Sequence, residues 1–256
     1  MAARKESSRS RRRRALIFAL LCAGLLGAAA LVPFADAWKK AATIGKTKNA
    51  PKPLCPAKPP ENKPAAGTKK SCSVVGSVTG FQLKADGTPH LMRAPKGGKI
   101  VAWAVNISKP NKIERNAFGG LNFFGTKKFG KEATARIGVI TPKKKGKYKL
   151  LRQSPTVKLD QAFGEFHYIT LNKPLKIKKG QIVALTVPTW IPALGSPNDK
   201  TGSWRASTGA KKCVRGNNAR QRAIDARPQT KIGSSRSYGC IYNARLLYWA
   251  YYVPGS

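Results

Sequence analysis

The sequence predicts an all-β protein: a single β-sandwich, jelly-roll-like, over residues 72–256, preceded by a signal or anchor helix and a disordered Pro/Lys-rich linker. Three observations lead there. From Ser73 onward, short runs rich in β-branched and aromatic residues alternate with clusters of Gly, Pro, Asn and Lys. Outside the leader no window carries an apolar period of 3.6 residues, so nothing asks for an amphipathic helix. The chain of 256 residues, 41% hydrophobic and with five Trp, can fill one sizeable core.

The strands expected are Val74–Leu83, Lys99–Ser108, Ala135–Thr141, Lys147–Gln153, Gly164–Leu171, Gln181–Val187 and two between Cys240 and Val253. In Lys99–Ser108 the set Ile100, Ala102 and Ala104 opposes Val101, Trp103 and Val105. Both faces are apolar, as a central strand requires. Asp86-Gly87, Gly97-Gly98, Gly125, Gly146 and Lys179-Gly180 mark turns. Phe166 to Val187 reads as consecutive antiparallel strands with Gly180 at the turn. Residues 188–232 show neither period and are expected as a long loop, the kind of excursion that often carries function. The closing run ARLLYWAYYVP, Ala244–Pro254, has aromatics on both faces. It reads as a core strand in preference to an aromatic platform.

The leader has its own logic. Residues 1–14 are basic and end in four arginines, Ala15–Phe34 carry no charge, and Ala35-Asp36-Ala37 is a small-x-small triplet. Those are the three parts of a secretory signal peptide, residues 1–37. Pro33 ends the apolar helix before the triplet. About 20 apolar residues also suffice to span a bilayer, so residues 15–34 as an uncleaved membrane anchor remain open beside cleavage after Ala37. Residues 38–71 are Pro- and Lys-rich, with almost no large apolar side chains, and read as an extended, self-repelling tether.

Beyond the leader lie Cys55, Cys72, Cys213 and Cys240. An even number in an exported chain points to disulfides. Local loop closure favours Cys55–Cys72 and Cys213–Cys240. With no C-x₂-C pair and two histidines, no metal and no cofactor is expected.

Charge is the outlying property: 49 Lys plus Arg against 10 Asp plus Glu, a formal charge of +39. Such a charge repels itself and attracts polyanions. The densest cluster, Lys143, Lys144, Lys145, Lys147 and Lys149, surrounds Gly146 at an expected hairpin tip. Arg215, Arg220, Arg222 and Arg227 add a basic stretch in the long loop. The partner these suggest is an anionic envelope polymer, a lipid surface or a glycan. Nucleic acid is physically compatible, but an exported chain meets envelope polymers and phospholipid instead. Lysines in every turn also serve edge protection and solubility. A second reading is a carbohydrate-binding or lectin-like module in which Trp190 and Trp204 stack on sugar rings, with Arg205 beside them.

An enzyme is not expected. His90 follows Thr88-Pro89 in a turn, and His167 lies between Phe166 and Tyr168 on a strand. No G-x-S-x-G, H-E-x-x-H, P-loop or G-x-G-x-x-G context is present. Asp160 and Glu165 flank four residues and could be close, as a glycosidase pair would be. Each acid in so basic a chain is more simply an ion-pair partner or a turn former.

The segments YGC (Tyr238–Cys240), ARLLYWAYYVP, PTW (Pro188–Trp190) and SWRAS (Ser203–Ser207) resemble uncharacterised exported β-sandwich proteins of high-GC Gram-positive bacteria, over roughly residues 72–254. The resemblance implies export and a sandwich. It implies no activity.

Overall fold

The computed structural model describes residues 41–55, 72–119, 129–195, 200–209, 213 and 226–255. The leader, residues 56–71 of the linker, the turn expected at Gly125, and Arg215, Arg220 and Arg222 lie outside them. Ala42–Ser256 forms one compact unit.

The first half of that unit holds β1 (Ala42–Ile44), β2 (Val75–Ala85), β3 (Thr88–Pro89), β4 (Gly98–Asn106), helix α1 (Lys112–Gly119), β5 (Thr134–Lys143), β6 (Lys147–Gln153) and β7 (Val157–Lys158). The second half holds β8 (Phe166–Ile177), β9 (Ile182–Ile191), β10 (Leu194–Gly195), β11 (Ser203–Ala206), β12 (Ser235–Ser237), β13 (Cys240–Tyr242), β14 (Arg245–Leu246) and β15 (Tyr248–Pro254). A small sheet has the order β1-β15-β4-β8; a large one has the order β12-β6-β5-β9-β2-β11-β13, with β3 and β7 paired at its sides. All the strand pairings are antiparallel. The fold is an all-β sandwich.

Alternation along each strand explains the layering. The chain crosses from β2 to β4, back to β5 and β6, across to β8, back to β9, and ends in β15 on the small sheet. Ile100, Trp103 and Val105 of β4 and Ile137, Val139, Leu185 and Val187 of the large sheet join one buried cluster. The Tyr248 hydroxyl of β15 donates to the Val183 carbonyl of β9 at 2.9 Å, a bond from one sheet to the other. The large sheet is covered on its far side too, by Gln229 and Tyr238. There the buried Gln229 donates to the Tyr148 carbonyl (3.1 Å) and accepts from the Tyr238 hydroxyl (2.8 Å). Its backbone N–H donates to Thr79 Oγ1 at 2.8 Å. Rings of Phe81, Tyr148 and Tyr238 pack beside it at 4.9–5.9 Å.

Four expectations need correction. Part of the tether belongs to the domain: β1 pairs with β15. Pro53 bridges Gly195, and the Leu54 N–H donates to the Leu194 carbonyl at 3.0 Å. Inside the loop expected at 188–232, β9 continues to Ile191 and Ser203–Ala206 pairs with both β2 and β13. The segments around Gly180 are not a hairpin, because β8 lies in the small sheet and β9 in the large one. The strand expected to end at Leu171 continues to Ile177. Lys173-Pro174 sits within it, in an irregularity where Ile100 faces Leu175 and Ala102 faces Thr170, five positions back. A proline on this edge strand costs no sheet hydrogen bond and blunts the edge.

The sequence pattern asks for no helix outside the leader, yet α1 forms at Lys112–Gly119. Asn111 Oδ1 accepts from the Glu114 N–H (2.9 Å) while Glu114 Oε2 accepts from the Asn111 N–H (3.0 Å). This reciprocal capping box satisfies two otherwise orphaned donors. Two turns of helix are too short to show a period, but the cap itself was legible.

Candidate functional site

The β5–β6 hairpin carries the lysine cluster. Lys145 (φ 55°) and Gly146 (φ 65°) both adopt the left-handed conformation at its tip, the geometry that suits the twist of two antiparallel strands. Lys143, Lys144, Lys145 and Lys147 are exposed and Lys149 is half-buried. Lys143 and Lys147 stand directly opposite each other across the hairpin, and Lys149 faces Thr141. Like charges at directly opposed positions destabilise a β pair. No acid among the described residues pairs with any of the five, and the ion pair between described side chains is elsewhere, Lys158 to Glu132 at 2.6 Å. That pair raises the Lys158 pKa, mainly through its hydrogen bond to Glu132. Arg236 of β12 faces Tyr148 on the next strand and donates to the Arg227 carbonyl at 3.2 Å.

The other expected site is not a surface. Trp190 is fully buried in β9: its ring packs on Phe118 (5.3 Å) and Phe163 (5.7 Å), and its Nε1–H donates to the Gly130 carbonyl at 3.1 Å. Trp204, 5% exposed in β11, stacks on Tyr242 at 4.7 Å. On its other side it lies over Gly80, where an added Cβ would come within 2.7 Å of the indole. Arg205, half-buried, donates to the Tyr148 hydroxyl at 3.2 Å. Neither tryptophan presents a ring face to a sugar. Their Pro-, Gly- and Ser-rich neighbours hid two strands, and with them the reason these rings are inside.

Both disulfides join the cysteines paired on sequence grounds, Cys55 to Cys72 and Cys213 to Cys240. Two such bonds place the domain in an oxidising, non-cytosolic compartment. Among the described residues Cys55, Cys72 and Glu114 are the group close enough to share a metal. The disulfide uses both sulfurs, and Glu114 already accepts from the Cys72 N–H at 3.2 Å and from Asn111. Beside them lies a cleft of about 500 Å³, lined by Lys52, Asn106, Ser108, Lys109, Asn111 and Glu114.

The groups weighed for catalysis are apart from one another in role. His90 is exposed in a turn with φ 61°. His167 faces Val105 across the small sheet. Both Asp160 carboxylate oxygens accept from the Ala133 N–H at 3.2 Å, a structural bond that anchors the approach to β5. Glu165 is exposed one residue before β8.

A surface that sequence reasoning set aside is present on the small sheet. In β15 the aromatics divide by face. Tyr248 and Tyr252 enter the main core, while Trp249 and Tyr251 form a separate outer cluster with Ala104 and Leu247. Across β4 they meet Phe166 and Tyr168 of β8. Burial raises the Tyr251 phenol pKa, and its hydrogen bond with Tyr168 raises it further. The period-two spacing of Phe166/Tyr168 and Trp249/Tyr251 was visible in the sequence; that β4 would bring them together was not.

Comparison with protein-family models, with curated proteins and with solved structures finds no match to this chain.

Proposed function

We propose that this is an exported, non-catalytic binding protein of the cell envelope or extracellular space that holds an anionic polymer or anionic surface by charge. One observation carries the reading: the β5–β6 hairpin carries five lysines, four of them exposed and two directly opposed, with no acid among the described residues paired to them. Solubility alone is served by lysines at staggered positions. Opposed ammoniums lower stability unless an anion lies between them. The disulfides and the leader pattern support a reading in which the protein meets such an anion outside the cytosol. The placement of the two histidines supports the non-catalytic reading: His90 is exposed in a turn and His167 stands opposite Val105 on an edge strand.

The test uses the full chain, with long-chain polyphosphate and phosphatidylglycerol vesicles as probes and phosphatidylcholine vesicles as the neutral control. Polyphosphate or the anionic vesicles should retain the protein at low salt and release it as salt rises, because binding is driven by counterion release. Equal retention by neutral vesicles, or retention by no anionic probe, would overturn the proposal.

A further inference from the structure

The aromatics classed as exposed among the described residues, Phe166 (40%) and Tyr168 (55%), lie side by side on the outer face of the small sheet. Their centroids are 4.9 Å apart. Each leans across β4 to a ring of β15: Phe166 to Trp249 at 4.9 Å, Tyr168 to Tyr251 at 5.7 Å. The strand between them makes this possible. Ala104 lies opposite both Tyr168 and Trp249, and Ala102 opposite both Thr170 and Tyr251, so methyl groups leave room for rings to close above them. The result is a two-rung aromatic ladder whose β8 rings are open to water, with Tyr251 partly buried and Trp249 7% exposed beside them. Farther along the same face Lys99 stands directly opposite Lys176, with Val253 on its other side. At about 3.3 Å per residue these ammoniums are on the order of 15 Å from the rings.

We propose that this face binds an acidic polysaccharide, its pyranose rings lying on the ladder and its carboxylates reaching Lys99 and Lys176. The C–H faces of a pyranose are electropositive and match the electron-rich face of an aromatic ring. Asn106, opposite Phe166, and Thr170 border the rings with hydrogen-bonding groups suited to hydroxyls. A protein partner fits less well. Four rings, one of them nearly covered, fall well short of the roughly 800 Å² per partner of a standard protein interface. Single-stranded nucleic acid also stacks on aromatics, but it carries a phosphate at every nucleotide and so asks for cations among the rings. Here the opposed lysines lie at the far end. The site is on the other sheet from the lysine hairpin, and it stands or falls separately.

The test measures affinities of the full chain for hexagalacturonate, the neutral chitohexaose, polyphosphate and a ten-nucleotide oligo(dT). Phe166→Ala with Tyr168→Ala should weaken hexagalacturonate about tenfold or more and leave polyphosphate unchanged. Phe166→Leu with Tyr168→Leu, which keeps apolar surface on the strand but removes the rings, should do the same. Lys99→Gln with Lys176→Gln should weaken hexagalacturonate and leave chitohexaose unchanged. The proposal is overturned if hexagalacturonate fails to bind, if the ring variants change its affinity by less than twofold, or if they weaken oligo(dT) more than the sugar, which would assign the face to nucleic acid. Loss of polyphosphate binding on altering the hairpin lysines reports on the other site alone.

Discussion

Replacing Trp190 separates a core residue from a ligand platform. Its indole is 0% exposed, packs on Phe118 and Phe163 at 5.3 and 5.7 Å, and donates to the Gly130 carbonyl. Trp190→Ala removes the whole ring from a site walled by Phe118 of α1 and by Phe163, and buried Trp-to-Ala changes cost about 3–5 kcal/mol. In a unit of this size each kcal/mol lowers Tm by roughly 2–4 °C, so the expected fall is about 6–20 °C. Trp190→Phe keeps a ring between the two phenylalanines but strands the Gly130 carbonyl and leaves a smaller gap, for about 1–2 kcal/mol. The assay is thermal unfolding followed by far-ultraviolet circular dichroism, with a urea midpoint measured in parallel. The order wild type, Phe, Ala should hold in both. A Trp190→Ala protein melting within about 2 °C of wild type while losing affinity for a glycan would refute the burial argument and return Trp190 to the surface.

Four further outcomes follow from particular contacts. Lys143→Gln with Lys144→Gln and Lys145→Asn, the asparagine chosen because it tolerates the φ of 55°, should not lower Tm and should raise it slightly by relieving the Lys143–Lys147 repulsion. It should also flatten the dependence of log K for polyphosphate on log salt by about 2, taking about 0.7 per phosphate contact. Gly80→Ala forces a methyl toward the Trp204 ring and the Arg205 carbonyl, and overpacking of this kind costs about 1–3 kcal/mol, readable as a lower urea midpoint. Reducing the two disulfides, whose cysteines are 17 and 27 residues apart, should cost about 3 kcal/mol each by loop entropy, measured as Tm with and without reductant. Burial raises the pKa of the Tyr238 and Tyr248 phenols, so the stability they contribute is complete below the free-phenol value near 10 and is lost as pH rises beyond it. Tyrosinate absorbance from these two should therefore appear together with unfolding, not before it.

The sandwich was legible because β-period alternation and turn residues coincide. Asp86-Gly87 and Lys145-Gly146 sit where two left-handed residues close a hairpin, and local spacing alone paired the cysteines correctly. What escaped the sequence depends on contacts from afar. Three residues, Ala42–Ile44, become a strand only because β15 offers an edge, and nothing in Ala-Thr-Ile between lysines announces that. Ser203–Ala206 is a strand because β2 and β13 lie on either side of it. The same long-range dependence governs the surface chemistry. Trp190 and Trp204 look like loop tryptophans and are buried, whereas Phe166 and Tyr168 look like strand residues and are open to solvent.

Charge placement offers a last discrimination between solubility and binding, and it is testable without knowing the ligand. Among the described residues two lysine pairs are directly opposed, Lys143 with Lys147 on the hairpin and Lys99 with Lys176 on the small sheet. If these lysines serve only the fold, an opposite charge is the better choice at one member of each pair. Lys147→Glu puts a carboxylate across from Lys143, and Lys176→Glu puts one across from Lys99. Each exchange replaces a repulsive cross-strand pair with an attractive one, for a gain of about 0.2–1 kcal/mol. Both variants should therefore melt slightly above wild type, most clearly at low salt where the pair is least screened. At the same time Lys147→Glu should weaken polyphosphate binding and Lys176→Glu hexagalacturonate binding. A gain in stability with a loss of affinity is the signature of residues retained for binding at the expense of the fold. If both variants gain stability and keep full affinity for every anionic probe, the opposed lysines are not binding residues, and neither proposed surface can be defended by its charge.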